Sequence, residues 1–177
     1  IHHNYIHDLP GKGGQSAIRT DAFITDTWIT ENVIARCNCG GLNLKFYNNH
    51  ALNNVILEVP DIHDTDIEGN PVTLSFGMIS IGDVFPREKM PDGGSVHIQR
   101  NIIDKTGVKH PFYREYHRGD GWVELGVENC EVDYNLYYAP KEPHEGQRYL
   151  NRYRELGADQ HSRIGDPCFN APKEDDY

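Results

Sequence analysis

Asn4-Tyr5-Ile6, Asn32-Val33-Ile34, Asn54-Val55-Ile56 and Asn101-Ile102-Ile103 repeat one pattern, Asn-x-Ile. The separations are 28, 22 and 47 residues, the last being about two periods of 23 or 24. A second column keeps the same period: Ala17-Ile18-Arg19-Thr20-Asp21 returns 24 residues later as Gly41-Leu42-Asn43-Leu44-Lys45. Between these columns lie short alternating stretches such as Thr27-Trp28-Ile29-Thr30 and Val96-His97-Ile98-Gln99, separated by polar, Gly-rich turns. No helical period persists across residues 1–135.

Units this short cannot bury an apolar face alone, so they must stack, each strand pairing with its equivalents above and below. An Asn at one corner of every coil suits that arrangement, because its amide can bond the backbone of the turn and the next Asn. The pattern predicts an all-β chain, a right-handed parallel β-helix (solenoid). An antiparallel sandwich would explain the short strands but not Asn-x-Ile at a nearly constant period. Residues 1–139 are read as coils with loop insertions, the C-terminal part of a longer solenoid, since Ile1 already sits inside the pattern. The insertions are His63 to Pro71, Pro86 to Gly94 and Thr106 to Gly121. Residues 140–177 are read as a cap or tail, with one helix over Glu142 to Leu156: Pro143 at its start, Tyr149, Tyr153 and Leu156 on one face, Gly157 as its stop.

Composition narrows the function classes. The 177 residues form one domain's worth of chain with a net charge of −10, which argues against nucleic acid and against an anionic membrane surface as partners. No apolar run approaches the ~18–20 residues of a membrane span. Cys37, Cys39, Cys130 and Cys168 lack zinc-ribbon spacing, leaving buried thiols, one disulfide or a metal as readings.

The stretch from Ala17-Ile18-Arg19-Thr20-Asp21 to Asn54-Val55-Ile56 resembles the repeats of the pectate-lyase-like right-handed parallel β-helix superfamily. Tyr134-Asn135-Leu136-Tyr137, Gly157-Ala158-Asp159-Gln160-His161-Ser162 and Gly165-Asp166-Pro167 are similar to the C-terminal end of its bacterial glycan-degrading members. The resemblance implies polysaccharide chemistry by hydrolases, uronate lyases or epimerases, with a poly- or oligosaccharide as partner and a secreted, cell-surface or periplasmic location. It also admits tailspikes and adhesins, which bind glycans without cleaving them.

Alternate strand residues share a face, so Arg19 and Asp21 point together, as do Asn43 and Lys45. The period stacks Arg19 over Asn43 and Asp21 over Lys45, roughly 4.8 Å apart, in one outward patch suited to sugar hydroxyls or a uronate. Asp21 is the candidate acid or nucleophile of a glycoside hydrolase, the leading expectation. Hydrolases of the superfamily set acids on neighbouring coils, and here Lys45 stands where the second acid is expected. Asp26, Asp61 or Asp64 are the candidate partners for Asp21. A uronate lyase would instead use Lys45 or Arg19 as base or as charge stabiliser. Calcium is the one cofactor the sequence suggests, with Asp64, Asp66 and Glu68 in Asp64-Thr65-Asp66-Ile67-Glu68-Gly69-Asn70 as oxygen ligands, although position 12 of such a loop would be Ser75 and not Glu. Tyr113, Tyr116 and Trp122 lie in a stretch that could stack on sugar rings. His97 is read as structural.

Overall fold

A computed structural model describes the chain apart from residues 11–15, 22–23, 39, 46, 61, 66–67, 75–76, 83–84, 87–95, 107–111, 116–121, 124–125 and 171–177. The short strands assemble into three parallel sheets. Sheet 1 holds β2 (Ile18–Arg19), β5 (Leu42–Leu44), β10 (Ile79–Ile81) and β14 (Tyr113–Glu115). Sheet 2 holds β3 (Trp28–Thr30), β6 (His50–Leu52), β12 (His97–Gln99) and β16 (Glu131–Asp133). Sheet 3 holds β1 (Tyr5–His7), β4 (Val33–Ala35), β7 (Val55–Leu57), β13 (Ile102–Asp104), β17 (Leu136–Tyr138) and β18 (Arg163–Ile164). From β2 to β17 the chain visits sheets 1, 2 and 3 in turn, a parallel β-solenoid-like arrangement.

The second residue of each sheet 3 strand stacks on its equivalents: Ile6, Ile34, Ile56, Ile103, Tyr137 and Ile164. Ile29, Ala51, Ile98 and Val132 do the same in sheet 2. The first strand positions of sheet 1, Ile18, Leu42, Ile79 and Tyr113, form the third inward column. Apart from Ile6 and Ile164, which are partly buried and pack against it, all three columns belong to one buried cluster. Each fully buried Ile or Leu in it contributes about 1.5–3 kcal/mol relative to exposure.

The corner between sheets 2 and 3 is two residues long in every coil: Glu31-Asn32, Asn53-Asn54, Arg100-Asn101 and Tyr134-Asn135. Its first residue is left-handed, with φ between 56° and 59°. That conformation costs a non-glycine residue roughly 1–2 kcal/mol. The ladder that follows offsets it. Asn32 donates from its backbone N–H and from Nδ2 to Asn54 Oδ1, both at 3.0 Å. Asn54 bonds Asn101 in the same way at 2.9 and 3.1 Å, and Asn101 bonds Asn135 at 2.9 and 3.1 Å. The second Nδ2 hydrogen reaches back to a sheet 2 carbonyl, as from Asn54 to Ile29 O at 2.8 Å. Each Asn donor at these buried corners therefore finds an acceptor in the repeat itself, either the next ladder side chain or a backbone carbonyl of sheet 2.

Two rungs escape the Asn-x-Ile pattern. Asn135-Leu136-Tyr137 carries Tyr in place of Ile, and Ser162-Arg163-Ile164 carries Ser in place of Asn, accepting from Asn135 N–H through Oγ at 2.8 Å. The segment expected to be cap and tail thus also supplies a strand, β18, in register with β17. The predicted helix forms as α1 (Pro143–Glu155) and buries Leu150 and Tyr153 in the core cluster. Tyr153 meets Tyr113 edge-on, 5.3 Å between ring centres, so α1 covers the core at its C-terminal end. Outside the three sheets, β8 (Ile62–Thr65) and β9 (Pro71–Leu74) form an antiparallel hairpin, and β11 (Phe85–Pro86) pairs antiparallel with β15 (Trp122–Val123).

Candidate functional site

The outer face of sheet 1 is polar through its whole depth. Arg19, Asn43, Ser80 and Arg114 occupy one column in strict register. The end members are cationic and the middle pair is small, with Asn43 3% and Ser80 0% exposed. Asn43 Oδ1 is buried and accepts no hydrogen bond from the described residues. A buried acceptor without a donor costs about 1–3 kcal/mol, so this oxygen is a marked point on the wall.

Beside that column, Arg19 Nη2 and Lys45 Nζ both reach Asp21 Oδ1, each at 3.2 Å. The period therefore does bring Asp21, Lys45, Arg19 and Asn43 together. Their exposure is unequal: the Asp21 side chain is 60% exposed and that of Lys45 only 10%. The Lys45 backbone is held on both sides. Its N–H donates to Thr20 Oγ1 at 2.9 Å, and its carbonyl accepts from Asn49 Nδ2 at 2.7 Å. A fixed ammonium and a guanidinium sharing one carboxylate oxygen form a clamp for a carboxylate.

Asp26, a candidate second acid, is engaged elsewhere. It accepts from Thr25 Oγ1 at 2.5 Å and from Asn48 Nδ2, and these bonds, Thr25 first, hold its carboxyl below the usual range. Asp61, Tyr116 and Asp66 lie outside the described residues. Asp64 sits on β8, facing Val72 in the hairpin register, and Glu68 is exposed at its turn. Among the described residues no three His, Cys, Asp or Glu side chains converge as a metal site requires. Trp122 lies on β15, opposite Pro86.

Tyr113 differs from its expected place on a sugar-stacking loop. It begins β14 on the inward column, 4% exposed, and its hydroxyl lies 2.7 Å from that of Tyr137. Alternation decides this, since its neighbour Arg114 takes the outward position. Burial pushes both tyrosines well above the ordinary phenol range. Ser80 and Arg114 were missed by the sequence reading. Their signal is the alternating triplet Ile79-Ser80-Ile81 and the stretch Tyr113-Arg114-Glu115, which continue the Arg19 column after insertions hide the period. Cys37, Cys130 and Cys168 are free thiols, and burial raises that of Cys37.

Comparison with protein-family models, with curated proteins and with solved structures finds no match to this chain.

Proposed function

We propose that the chain is a right-handed coil of the pectate-lyase-like kind that binds a uronate-bearing polysaccharide across the outer face of sheet 1 and cleaves it. The observation that carries this reading is the convergence of Arg19 and Lys45 on a single oxygen of Asp21. A sugar carboxylate entering between the two cations takes the place Asp21 now holds. Arg114 supplies a further cation at the far end of the column, beyond the buried Asn43 and Ser80.

Cleavage by elimination follows from that placement. The cations withdraw charge from the substrate carboxylate and stabilise the enolate that grows when the α proton leaves. Asp21, displaced from its cations, takes the proton, the C–H electron pair ends in the new double bond, and the glycosidic C–O bond breaks with its oxygen taking a proton from water. Hydrolysis with Asp21 as acid or nucleophile is the second reading, favoured by the 60% exposure of that side chain. Either reading carries with it a secreted or cell-surface location.

A panel of neutral and uronate polysaccharides tests the proposal, followed for reducing ends and for the ultraviolet absorbance of unsaturated sugars, with and without chelator. Both signals on uronate substrates support elimination, and loss on chelation adds calcium. Reducing ends alone transfer the reading to hydrolysis. Binding without either signal makes the chain a non-catalytic glycan-binding wall, an adhesin or tailspike element.

A further inference from the structure

The outer face of sheet 2 carries a second ordered column, independent of the glycan reading. Trp28, His50, His97 and Glu131 stand in register on β3, β6, β12 and β16. Trp28 and His50 stack with ring centres 4.0 Å apart and 8° between planes, and His50 stacks on His97 at 4.2 Å and 13°. Polar partners hold both imidazoles. His50 Nε2 lies 3.1 Å from Asn48 Oδ1, and the amide of Asn48 in turn donates to Asp26. His97 Nδ1 lies 2.9 Å from Glu131 Oε2.

These contacts fix the tautomers. Asn48 presents an oxygen, so His50 carries its proton on Nε2 and keeps its lone pair on Nδ1. Glu131 presents a carboxylate, so His97 carries its proton on Nδ1 and keeps the lone pair on Nε2. The Glu131 carboxylate lies against His97, whereas His50 reaches Asp26 only through Asn48, so a cation on each ring would stand face to face without a carboxylate between them.

We propose that this column is a proton-operated latch: stacked while His50 is neutral, it opens between His50 and His97 when His50 takes a proton. Protonated His50 keeps its contact with the indole, since a cation over Trp28 is attracted to the ring face. The gap therefore opens on the His97 side. The groups facing His50 are Trp28 from β3, His97 from β12, Asn48 and Asp26 from the preceding corners, and Glu131 one rung beyond His97. Partial burial, then the neighbouring His97, hold His50 below its ordinary range, against smaller upward pulls from Asp26 and Glu131. The latch adjoins the candidate site through the next residue in the chain: Asn49, whose Nδ2 holds the carbonyls of Ile24 and Lys45 at 2.8 and 2.7 Å.

Trp28 reports the state of the latch, because a protonated imidazole against an indole quenches its fluorescence. In a Trp122→Phe background, emission followed from neutral to acid pH is expected to fall in one step with a midpoint below that of free imidazole. His97→Gln is expected to raise that midpoint by about 0.5–1 unit, the scale of two unit charges ~4 Å apart in a water-like medium. His50→Gln is expected to abolish the step. Should the Trp122→Phe chain not fold, the His50 ring proton resonances of the unaltered chain, assigned with His50→Gln, give the same midpoint. A midpoint unmoved by His97→Gln overturns the proposal, as does a step that survives His50→Gln.

Discussion

Tyr137 Oη donates to Asp159 Oδ2 at 2.8 Å, and this bond ties the end of the asparagine ladder to the aromatic core beneath α1. The other Asp159 oxygen accepts from Ser162 Oγ at 2.5 Å and from Asn135 Nδ2 at 3.4 Å. Asp159 is 1% exposed, and burial raises its carboxyl above the usual range against the lowering effect of its three donors. One buried acid thus gathers the last Asn rung, the Ser that replaces the next, and the Tyr113–Tyr137 pair.

The pH dependence follows from that direction. A carboxyl raised on folding favours the protonated chain, so its contribution is greatest below the unfolded value of about 3.9 and declines as pH rises through the folded value. Asp159→Asn removes this dependence. Urea midpoints across pH 3.5–7 should show the variant gaining on the unaltered chain as pH rises. A constant difference would contradict the assignment. Asp159→Ala, which strips acceptors from three buried donors, should cost about 2–4 kcal/mol at the acid end of that range and less as pH rises.

The ladder should be strongest in its interior. Asn54→Ala leaves the Asn32 donors and Ile29 O without their partner and is expected to cost about 3 kcal/mol. Asn4→Ala, at an exposed rung, is expected to cost under about 1 kcal/mol. Chemical denaturation of both variants measures the contrast.

Gly41 marks a close approach between coils. A Cβ there would stand 2.5 Å from Met78 O and 2.7 Å from Ile56 Cγ2. Gly41→Ala is expected to lose about 1–3 kcal/mol by overpacking, visible as a lower thermal midpoint with unchanged far-ultraviolet dichroism.

Asp21→Asn separates chemistry from folding. Its ion pairs lie at an exposed carboxylate, so stability should change by no more than about 0.5 kcal/mol. Turnover of the polysaccharide identified by the panel should fall about 100-fold or more. Lys45→Met should weaken uronate binding in parallel. Full turnover in both variants would remove sheet 1 from the chemistry.

The coil was legible where the repeat is spelled out. Asn32 and Asn54, 22 residues apart with Ile two places on, announce a stacked corner, and Arg19 over Asn43 follows from the same count. Asn135 and Ser162 were not legible as rungs, because Tyr137 fills the Ile position and a hydroxyl replaces the amide. The sheet 1 column was half legible: Ser80 and Arg114 stand 37 and 71 residues beyond Asn43, after insertions that break the period. Tyr113 shows a different limit. In a strand of three residues the inward phase is set by the partner strand, and one residue's shift reverses every side chain.

The two-residue corner has a consequence for how such a chain can change over generations. Successive ladder residues are 28, 22, 47 and 34 positions apart, yet every bond between them measures 2.9–3.1 Å. One margin of the molecule is justified and the others are ragged. Insertions and deletions at the ragged margins rewrite the wall without renumbering the spine. New specificities can be drafted there while the fold stays in print.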